Sequence, residues 1–80
     1  MSTINRVRAV IAEQMSCDLD DVMPSTRIEK DLMADSLDVV EISMALEEEF
    51  EIELDDSKPY VTVMDIAAEI DNILERKSEK

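Results

Sequence analysis

The segment that decides the fold is residues 36–50, SLDVVEISMALEEEF. Its apolar residues recur at spacings of three and four, which is the period of an α-helix. One stripe of the predicted helix carries Val39, Ile42, Leu46 and Phe50, and the last of these is the only phenylalanine in the chain. We expect this stripe to face the hydrophobic core, because it offers the larger packing volume.

A second apolar stripe runs along roughly the opposite side of the same predicted helix. It consists of Leu37, Val40 and Met44. Acidic residues surround it: Asp38, Glu41, Glu47 and Glu48. Either the stripe packs against a neighbouring segment, or it stays exposed as a docking surface for another protein. In the second case the acids would steer a basic partner, and the flexible thioether of Met44 would adapt to several partners.

A helix and a long loop precede this segment. Residues 4–15 repeat apolar side chains at helical spacing, and Ser2 or Thr3 is suited to cap the first turn. Residues 16–35 show no sustained period, and the stretch from Pro24 to Thr26 is typical of a turn. Loops of this length in compact domains are often functional. We expect four apolar residues to attach the loop to the core: Leu19, Val22, Ile28 and Leu32.

The chain after the central helix predicts one more long helix. Residues 51–54 alternate like a strand but have no evident partner strand, and residues 55–60 indicate a turn and one short helix. Thr62 and Asp65 resemble a helix cap, and basic residues lie near the negative end of the helix that follows. The predicted fold class is all-α: a small bundle of three main helices plus one short helix, with a long first loop. Counting the short helix makes it a four-helix bundle.

The composition excludes several classes of function. Eight Lys and Arg against twenty-one Asp and Glu give a net charge of −13, which disfavours nucleic acid and favours basic protein partners. Eighty residues with 45% apolar content fit one small domain, residues 1–80, which we expect to be monomeric. The chain has no His and no Gly, so it offers neither a usual catalytic triad nor a Gly-rich phosphate loop. We therefore predict that the protein is not an enzyme.

Cysteine usage and the absence of targeting segments indicate where the protein works. Cys17 is the only cysteine, so no internal disulfide can form, which fits a reducing compartment. The first residues lack the apolar stretch of a signal peptide, and no run is long enough to insert into a membrane. We expect a cytoplasmic protein. An EF-hand loop starting at Asp18 would place Met23 where Gly is required, so we predict no metal site.

Ser36 lies where the long loop becomes the central helix. Either Ser36 is the N-cap, or Asp35 caps the helix and Ser36 begins its first turn. A nucleophilic serine needs a base, and without His no usual triad can form around it. A helix N-terminus also favours phosphate, because its free backbone N–H groups and its dipole attract negative charge. Ser36 could carry a phosphate ester there, although Asp35 and Asp38 oppose added negative charge.

The residues around Ser36 resemble a known family. The block from Asp31 to Asp38, DLMADSLD, followed by Val40-Glu41 and by MALEEEF at residues 44–50, closely resembles the acyl carrier protein family, in its bacterial or organellar stand-alone form. The resemblance covers essentially the whole chain and is densest over residues 29–54. It implies that Ser36 receives a 4′-phosphopantetheine group from coenzyme A, with Asp35 and Leu37 flanking it at the cofactor site. A separate magnesium-dependent phosphopantetheinyl transferase (holo-carrier synthase) would catalyse the transfer.

The same resemblance implies a carrier function. The thiol of the arm would hold growing fatty acyl chains as thioesters and deliver them to ketoacyl synthases, reductases, a dehydratase and acyltransferases with basic docking patches. The partner-facing positions would be Asp35, Leu37, Asp38, Val40, Glu41, Met44, Glu47 and Glu48. The acyl chain can fold back between the helices of such carriers. Its lining here would be Ile42, Leu46, Phe50, Val61 and Ile66.

Three departures from the family pattern leave alternative functions open: Met33, Ser43 and an atypical third-helix region over residues 55–60. Met33 stands where the family usually has Gly, and we expect the loop to adopt an ordinary conformation there rather than a positive φ. Ser43 replaces a commonly apolar residue, and it would either bond back to a carbonyl one turn earlier or alter the acyl cavity. One alternative is a specialised carrier for a polyketide, lipid A or another secondary pathway. Another, of a different class, is an acidic protein-interaction module that carries nothing.

Overall fold

Three α-helices and one short 3₁₀ turn form the fold in the computed structural model, which describes residues 2–54 and 60–78. Helix α1 spans Thr3–Met15, α2 spans Ser36–Phe50 and α3 spans Val63–Ser78. These bounds confirm the three main helices and the all-α class. None of the helices in the described ranges is long and apolar enough to cross a membrane.

The helix starts follow from local capping chemistry. The Ser2 hydroxyl accepts a hydrogen bond from the Asn5 N–H at 3.4 Å, which identifies Ser2 rather than Thr3 as the cap of α1. Before α3, the Asp65 N–H donates to Thr62 Oγ1 at 3.2 Å, and the Thr62 N–H donates to Asp65 Oδ2 at 3.1 Å. This reciprocal exchange satisfies two backbone donors that a helix start otherwise leaves unpaired. The predicted cap at Thr62 is therefore confirmed.

Two helices end in the left-handed conformation without the glycine that usually occupies it. Ser16 after α1 and Glu51 after α2 both have φ of 55°. In each case the following residue closes the helix: the Cys17 N–H donates to the Ala12 carbonyl and the Ile52 N–H to the Glu47 carbonyl, both at 3.0 Å. This is the hydrogen bond of a Schellman motif, which satisfies carbonyls at the helix end. The absence of Gly therefore does not prevent these endings.

Helix α1 lies at the centre of the packing and contacts both α2 and α3. Val7 and Ile11 of α1 are fully buried, as are Leu46 of α2 and Ile70 of α3. Of the predicted core stripe of α2, Ile42, Leu46 and Phe50 are buried and Val39 is partly buried against them. The core face of α2 is thus the one that its spacing predicted.

The long loop is attached to α1 by one arginine. The Arg8 guanidinium donates to the backbone carbonyls of Val22 and Leu19, the latter at 3.1 Å, and to the Asn5 side chain at 3.1 Å. The loop contains a 3₁₀ turn at Leu19–Asp21, which the sequence did not predict. Of the four residues expected to attach the loop, Val22 and Ile28 are buried and Leu32 is partly buried. The expectation for Leu19 was wrong: its carbonyl makes the attachment and its side chain is exposed.

The sequence predicts a strand-like segment and one short helix in the chain after α2. Residues 51–54 are not a strand; Ile52 and Leu54 are buried and Glu53 is exposed, so the alternation reflects an extended segment lying on the core. The short helix expected between Asp55 and Tyr60 falls on residues 55–59, outside the described residues. The described part of the chain holds three α-helices, so the description as a four-helix bundle does not hold for it.

The end of the long loop is paired with the start of α3. The Ile28 N–H donates to the Val61 carbonyl and the Val63 N–H donates to the Thr26 carbonyl, both at 3.0 Å. The Ala34 N–H in turn donates to the Ile28 carbonyl at 3.3 Å, and Ala34 is buried. These bonds fix the chain two residues before Ser36, so they set the position at which α2 begins.

Candidate functional site

Ser36 is the first residue of α2, and its neighbour Asp35 is the cap. The Asp38 N–H donates to Asp35 Oδ1 at 2.9 Å, and the Asp35 N–H donates to Asp38 Oδ2 at 3.2 Å. The structure thereby selects the second of the two capping alternatives, with Ser36 in the first turn. Ser36 is exposed, and its hydroxyl makes no hydrogen bond to any described residue. The hydroxyl is therefore accessible to a reagent from outside.

The start of α2 retains free hydrogen-bond donors. The Val39 N–H is bonded to the Asp35 carbonyl at 3.0 Å and the Asp38 N–H to the Asp35 carboxylate. The N–H groups of Ser36 and Leu37 have no acceptor within residues 2–54 and 60–78. Free N–H groups at the positive end of a fifteen-residue helix suit a phosphate oxygen. A phosphodiester on Ser36 therefore fits this position, since it adds only one negative charge beside the two carboxylates.

The second apolar stripe of α2 is exposed. Leu37 is 66% exposed, Val40 51% and Met44 61%. Packing of this stripe against a neighbouring segment is therefore wrong for these three residues. Because successive helix residues advance by about 100°, Glu41 and Glu48 project on the same side as Leu37 and Met44, and both are exposed. The outer side of α2 beyond Ser36 is thus apolar along its middle and acidic at its margin.

Three of the acidic residues near this stripe are also engaged within the fold. Asp35 and Asp38 cap each other, and Glu47 is half-buried with its carboxylate accepting the Leu54 N–H at 2.8 Å. Glu41 and Glu48 remain the acids on α2 without a partner among the described residues. The neighbouring Glu49 forms an ion pair with Arg6 of α1 at 3.0 Å. Glu41 and Glu48 therefore offer a partner carboxylates that no described residue engages, while Asp35, Asp38 and Glu47 keep their charge as they accept backbone N–H groups.

The five residues predicted to line an acyl cavity are not all in one environment. Ile42, Leu46, Phe50 and Ile66 belong to the buried core. Val61 is 54% exposed, and its carbonyl is paired with the Ile28 N–H. A groove of about 710 Å³ lies instead at the opposite end of α2 from Ser36. Its walls are Glu47, Glu51, Ile52, Glu53, Glu69, Ile73, Arg76 and Lys77. The lining by Ile42, Leu46, Phe50, Val61 and Ile66 stays a prediction.

Met33 departs from the expected conformation. Its φ is 57°, in the left-handed region, so the expectation of an ordinary loop conformation was wrong. The cause is the pairing on either side: the Asp31 N–H donates to the Arg27 carbonyl at 2.8 Å, and the Ala34 N–H to that of Ile28. These bonds leave Met33 as the residue at which the chain reverses. The signal was the resemblance to a family that usually has Gly at this position, because Gly adopts a positive φ without steric cost.

The structure shows no role at the site for Ser43 or for Cys17. Ser43 is half-buried, and its hydroxyl makes no hydrogen bond to a described residue, so the expected bond to a carbonyl one turn earlier does not form. Burial raises the pKa of the Cys17 thiol above its ordinary value, and the charges of Asp21 and Asp18 add to the effect. A thiol with a raised pKa stays protonated and is a poor nucleophile. Among the described residues, no cluster of His, Cys, Asp or Glu is suited to hold a metal ion.

Comparison with known proteins connects this geometry to a family. The family model described as "Phosphopantetheine attachment site" matches residues 5–70 of the chain. The acyl carrier protein of Campylobacter jejuni subsp. doylei is 49% identical over 75 residues, which cover 91% of this chain and 97% of that protein. The chain belongs to the acyl carrier protein family. The acyl carrier protein of Helicobacter hepaticus is likewise 49% identical over 73 residues, covering 89% of this chain and 96% of its own length.

Membership of the acyl carrier protein family fixes the class of function. Acyl carrier proteins are carriers and not catalysts, and their prosthetic group is 4′-phosphopantetheine. The prediction of this cofactor from the residues around Ser36 is confirmed. The arm supplies a terminal thiol that forms thioesters. The carrier itself supplies a position for the arm and a surface on which enzymes can bind.

Proposed function

We propose that Ser36 carries the 4′-phosphopantetheine arm and that the protein delivers growing fatty acyl chains to the enzymes of fatty-acid synthesis. The observation that supports this most strongly is the start of α2. There Ser36 is exposed and does not cap the helix, because Asp35 does. The N–H groups of Ser36 and Leu37 have no acceptor among the described residues. Of the described serines, Ser36 is the one that begins a long helix after a capping aspartate. No other described serine combines exposure with such donors.

The transfer to Ser36 requires a partner enzyme. The Ser36 oxygen attacks the phosphorus on the pantetheine side of the diphosphate of coenzyme A. The bond from that phosphorus to the bridging oxygen breaks, and adenosine 3′,5′-bisphosphate leaves. The proton of the hydroxyl passes to a base on the transferase, because this chain has no His and the nearby carboxylates of Asp35 and Asp38 are engaged in capping.

After transfer, the residues around Ser36 hold the phosphodiester in place. The backbone N–H groups of Ser36 and Leu37 are available to its oxygens, and the helix dipole favours its charge. The reciprocal cap of Asp35 and Asp38 keeps the first turn of α2 closed, so the attachment point does not fray. The chain thus presents the arm from a fixed point, and the enzymes supply the acid, base and nucleophile.

The surface that enzymes bind is the outer side of α2, here called the α2 docking surface. We define it by eight residues: Asp35, Leu37, Asp38, Val40, Glu41, Met44, Glu47 and Glu48. Residues 31–57 contain eleven acidic residues and no basic one, so this part of the chain carries most of the net charge of −13. Acids steer a basic partner towards the surface, and burial of the apolar stripe supplies affinity. The partners are a phosphopantetheinyl transferase and ketoacyl synthases, reductases, a dehydratase and acyltransferases with basic patches.

The proposal also includes the pathway that the carrier serves and the compartment in which it works. The relatives from Campylobacter jejuni and Helicobacter hepaticus are named acyl carrier proteins, which supports a carrier role. We place the protein in the cytoplasm because its single cysteine fits a reducing compartment. The identity of Met33 and Ser43 favours a second candidate, a specialised carrier for another acyl cargo. The acyl thioesters on the protein isolated from its own cells separate the two: intermediates of saturated fatty acids support the first, and a polyketide or hydroxyacyl cargo supports the second.

The attachment site is tested by intact mass spectrometry. Wild-type protein, Ser36→Ala and Ser25→Ala are incubated with a phosphopantetheinyl transferase, magnesium and coenzyme A. Ser25 is the matched control, because it is also an exposed serine but lies in the long loop. Wild type and Ser25→Ala gain the mass of one phosphopantetheinyl group, and Ser36→Ala gains none. An unmodified wild type, or a modified Ser36→Ala, would refute the proposal.

The α2 docking surface is tested by transferase kinetics. Glu41→Lys and Met44→Ala raise the KM for the carrier, whereas Glu13→Lys and Met64→Ala do not, because the latter pair make the same changes on α1 and α3. All four residues are exposed, so each variant should retain the wild-type fold. Equal KM values for the α2 variants and the controls would place the binding surface elsewhere.

A further inference from the structure

Met33 is the most exposed large apolar side chain in the described residues, at 83%. It also occupies the left-handed region with φ of 57°, where a side chain with a Cβ is disfavoured. Glycine would remove this strain and asparagine would reduce it. The fold therefore gains nothing from methionine at this position, either from burial or from backbone conformation.

The other two left-handed residues in the part of the chain that the structure describes provide a contrast. Ser16 and Glu51 have the same backbone conformation but polar side chains, and the Glu51 carbonyl accepts a hydrogen bond from Lys77 at 2.7 Å. Both close the C-terminal ends of helices, α1 and α2, whereas Met33 lies in the loop before Ser36. Met33 is the only apolar residue of the three, and it lies three residues before Ser36. Strain retained beside a functional residue points to a function for the side chain.

Met33 adds an exposed apolar side chain on the other side of Ser36 along the chain. Leu37 follows Ser36 directly and is exposed, so exposed apolar side chains stand before and after the hydroxyl along the chain. The residues between and beside them include the acids Asp35 and Asp38. An occupant of this area must therefore combine an apolar contact with basic side chains, and it must reach the Ser36 hydroxyl.

We propose that Met33 is a docking contact for the phosphopantetheinyl transferase, which binds apolar side chains on both sides of Ser36. This inference rests on the proposed function, because it takes Ser36 as the modified residue. It extends the α2 docking surface from α2 into the preceding loop. Charge complementarity to Asp35 and Asp38, and the exposed apolar side chains that precede and follow Ser36 in the chain, identify the occupant as a protein with a basic, partly apolar binding site.

The test compares three Met33 variants and one control variant as substrates of the transferase. KM, kcat and melting temperature are measured for each. Met33→Gly and Met33→Asn remove the apolar contact and suit the left-handed backbone, so their KM rises about fivefold or more with no fall in melting temperature. Met33→Leu keeps the contact and stays within about twofold of the wild-type KM. Ser16→Gly relieves a left-handed residue elsewhere and leaves KM unchanged.

The outcomes distinguish the inference from the proposed function. If Met33→Gly and Met33→Asn are modified on Ser36 with the wild-type KM, the inference is overturned and the proposed function stands. If Met33→Leu raises KM as much as Met33→Gly does, the effect does not come from an apolar contact, and the inference is overturned. If neither wild type nor any variant is modified on Ser36, the proposed function itself fails. A fall in kcat alone, with KM unchanged, also contradicts a docking contact.

Discussion

Asp35 and Asp38 cap each other at the start of α2, with the Asp38 N–H donating to Asp35 Oδ1 at 2.9 Å and the Asp35 N–H donating to Asp38 Oδ2 at 3.2 Å. In the usual capping box a serine or threonine accepts the first bond and a glutamate the second. Here two aspartates do both, and Ser36 lies between them with a free hydroxyl. The arrangement separates capping from modification, which would otherwise compete for one side chain.

Asp35→Ala should lower the free energy of unfolding by about 1 kcal/mol, because it leaves the Asp38 N–H without its acceptor. Urea denaturation monitored by circular dichroism measures the loss. Glu48→Ala is the control, since it removes an equal charge from an exposed position of the same helix without touching a cap. A cap role is contradicted if the two variants are equally stable.

Arg8 holds the long loop in place, so Arg8→Lys should destabilise the protein by roughly 1–3 kcal/mol. A lysine keeps the charge but cannot bond the Val22 and Leu19 carbonyls together in the same fork. Arg6→Lys is the matched control on the same helix, because Arg6 makes an exposed ion pair with Glu49 and lies 4.3 Å from the Phe50 ring. Its loss should stay below about 1 kcal/mol. Equal losses in urea denaturation would show that the loop does not depend on Arg8.

The local features of the fold could be predicted from the sequence, and the long-range contacts could not. The bounds of α2 and the caps at Ser2 and Thr62 follow from spacing and residue type within a few positions, and the structure confirms them. The attachment of the loop by Arg8 joins residues eleven and fourteen positions apart, and no local pattern encodes such a bond.

The site was predictable in its residues but not in its conformation. The stripe of Leu37, Val40 and Met44 was evident from its spacing, but only the structure shows that no segment of the described residues covers it. Met33 was identified as a departure from Gly, yet its positive φ follows from the pairing of Ala34 with Ile28, which depends on tertiary structure. Glu47 was grouped with the docking acids by its position on the predicted helix, but its bond to the Leu54 N–H spans a chain reversal and could not be predicted.

The stability at low pH should depend on Asp65. Hydrogen bonds from the Thr62 and Val61 N–H groups lower the pKa of its carboxyl below the ordinary value. A lowered pKa in the folded state gives stability above the unfolded pKa of about 4, and this stability is lost as the pH falls through the folded value. Asp65→Asn should therefore melt below wild type at pH 7, and the gap should close as the pH falls below about 4.

Asp71→Asn is the control for the experiment on Asp65, because it removes the same charge from an exposed position of α3 away from the cap. Its melting temperature at pH 7 should equal or exceed that of wild type. A gap between Asp65→Asn and wild type that is the same at every pH would show that the carboxylate does not stabilise the start of α3.

Added salt should raise the melting temperature of the wild-type protein. The net charge of −13 on eighty residues, concentrated in residues 31–57, produces repulsion that the folded state increases by bringing the acids together. Ions screen this repulsion once the Debye length falls to about 10 Å near 0.1 M. Scanning calorimetry between low and moderate sodium chloride measures the shift. A melting temperature independent of salt would mean that the acids do not oppose folding.

Whether Ser36 bears the arm can be read from peptide mass spectrometry of the protein isolated from its own cells. Cleavage after Glu29 and Glu41 releases residues 30–41, in which Ser36 is the only hydroxyl-bearing residue and no cysteine occurs. We expect this peptide to carry the mass of one phosphopantetheinyl group, alone or with an acyl chain. An unmodified peptide 30–41, with the group absent or found on another peptide, would contradict it.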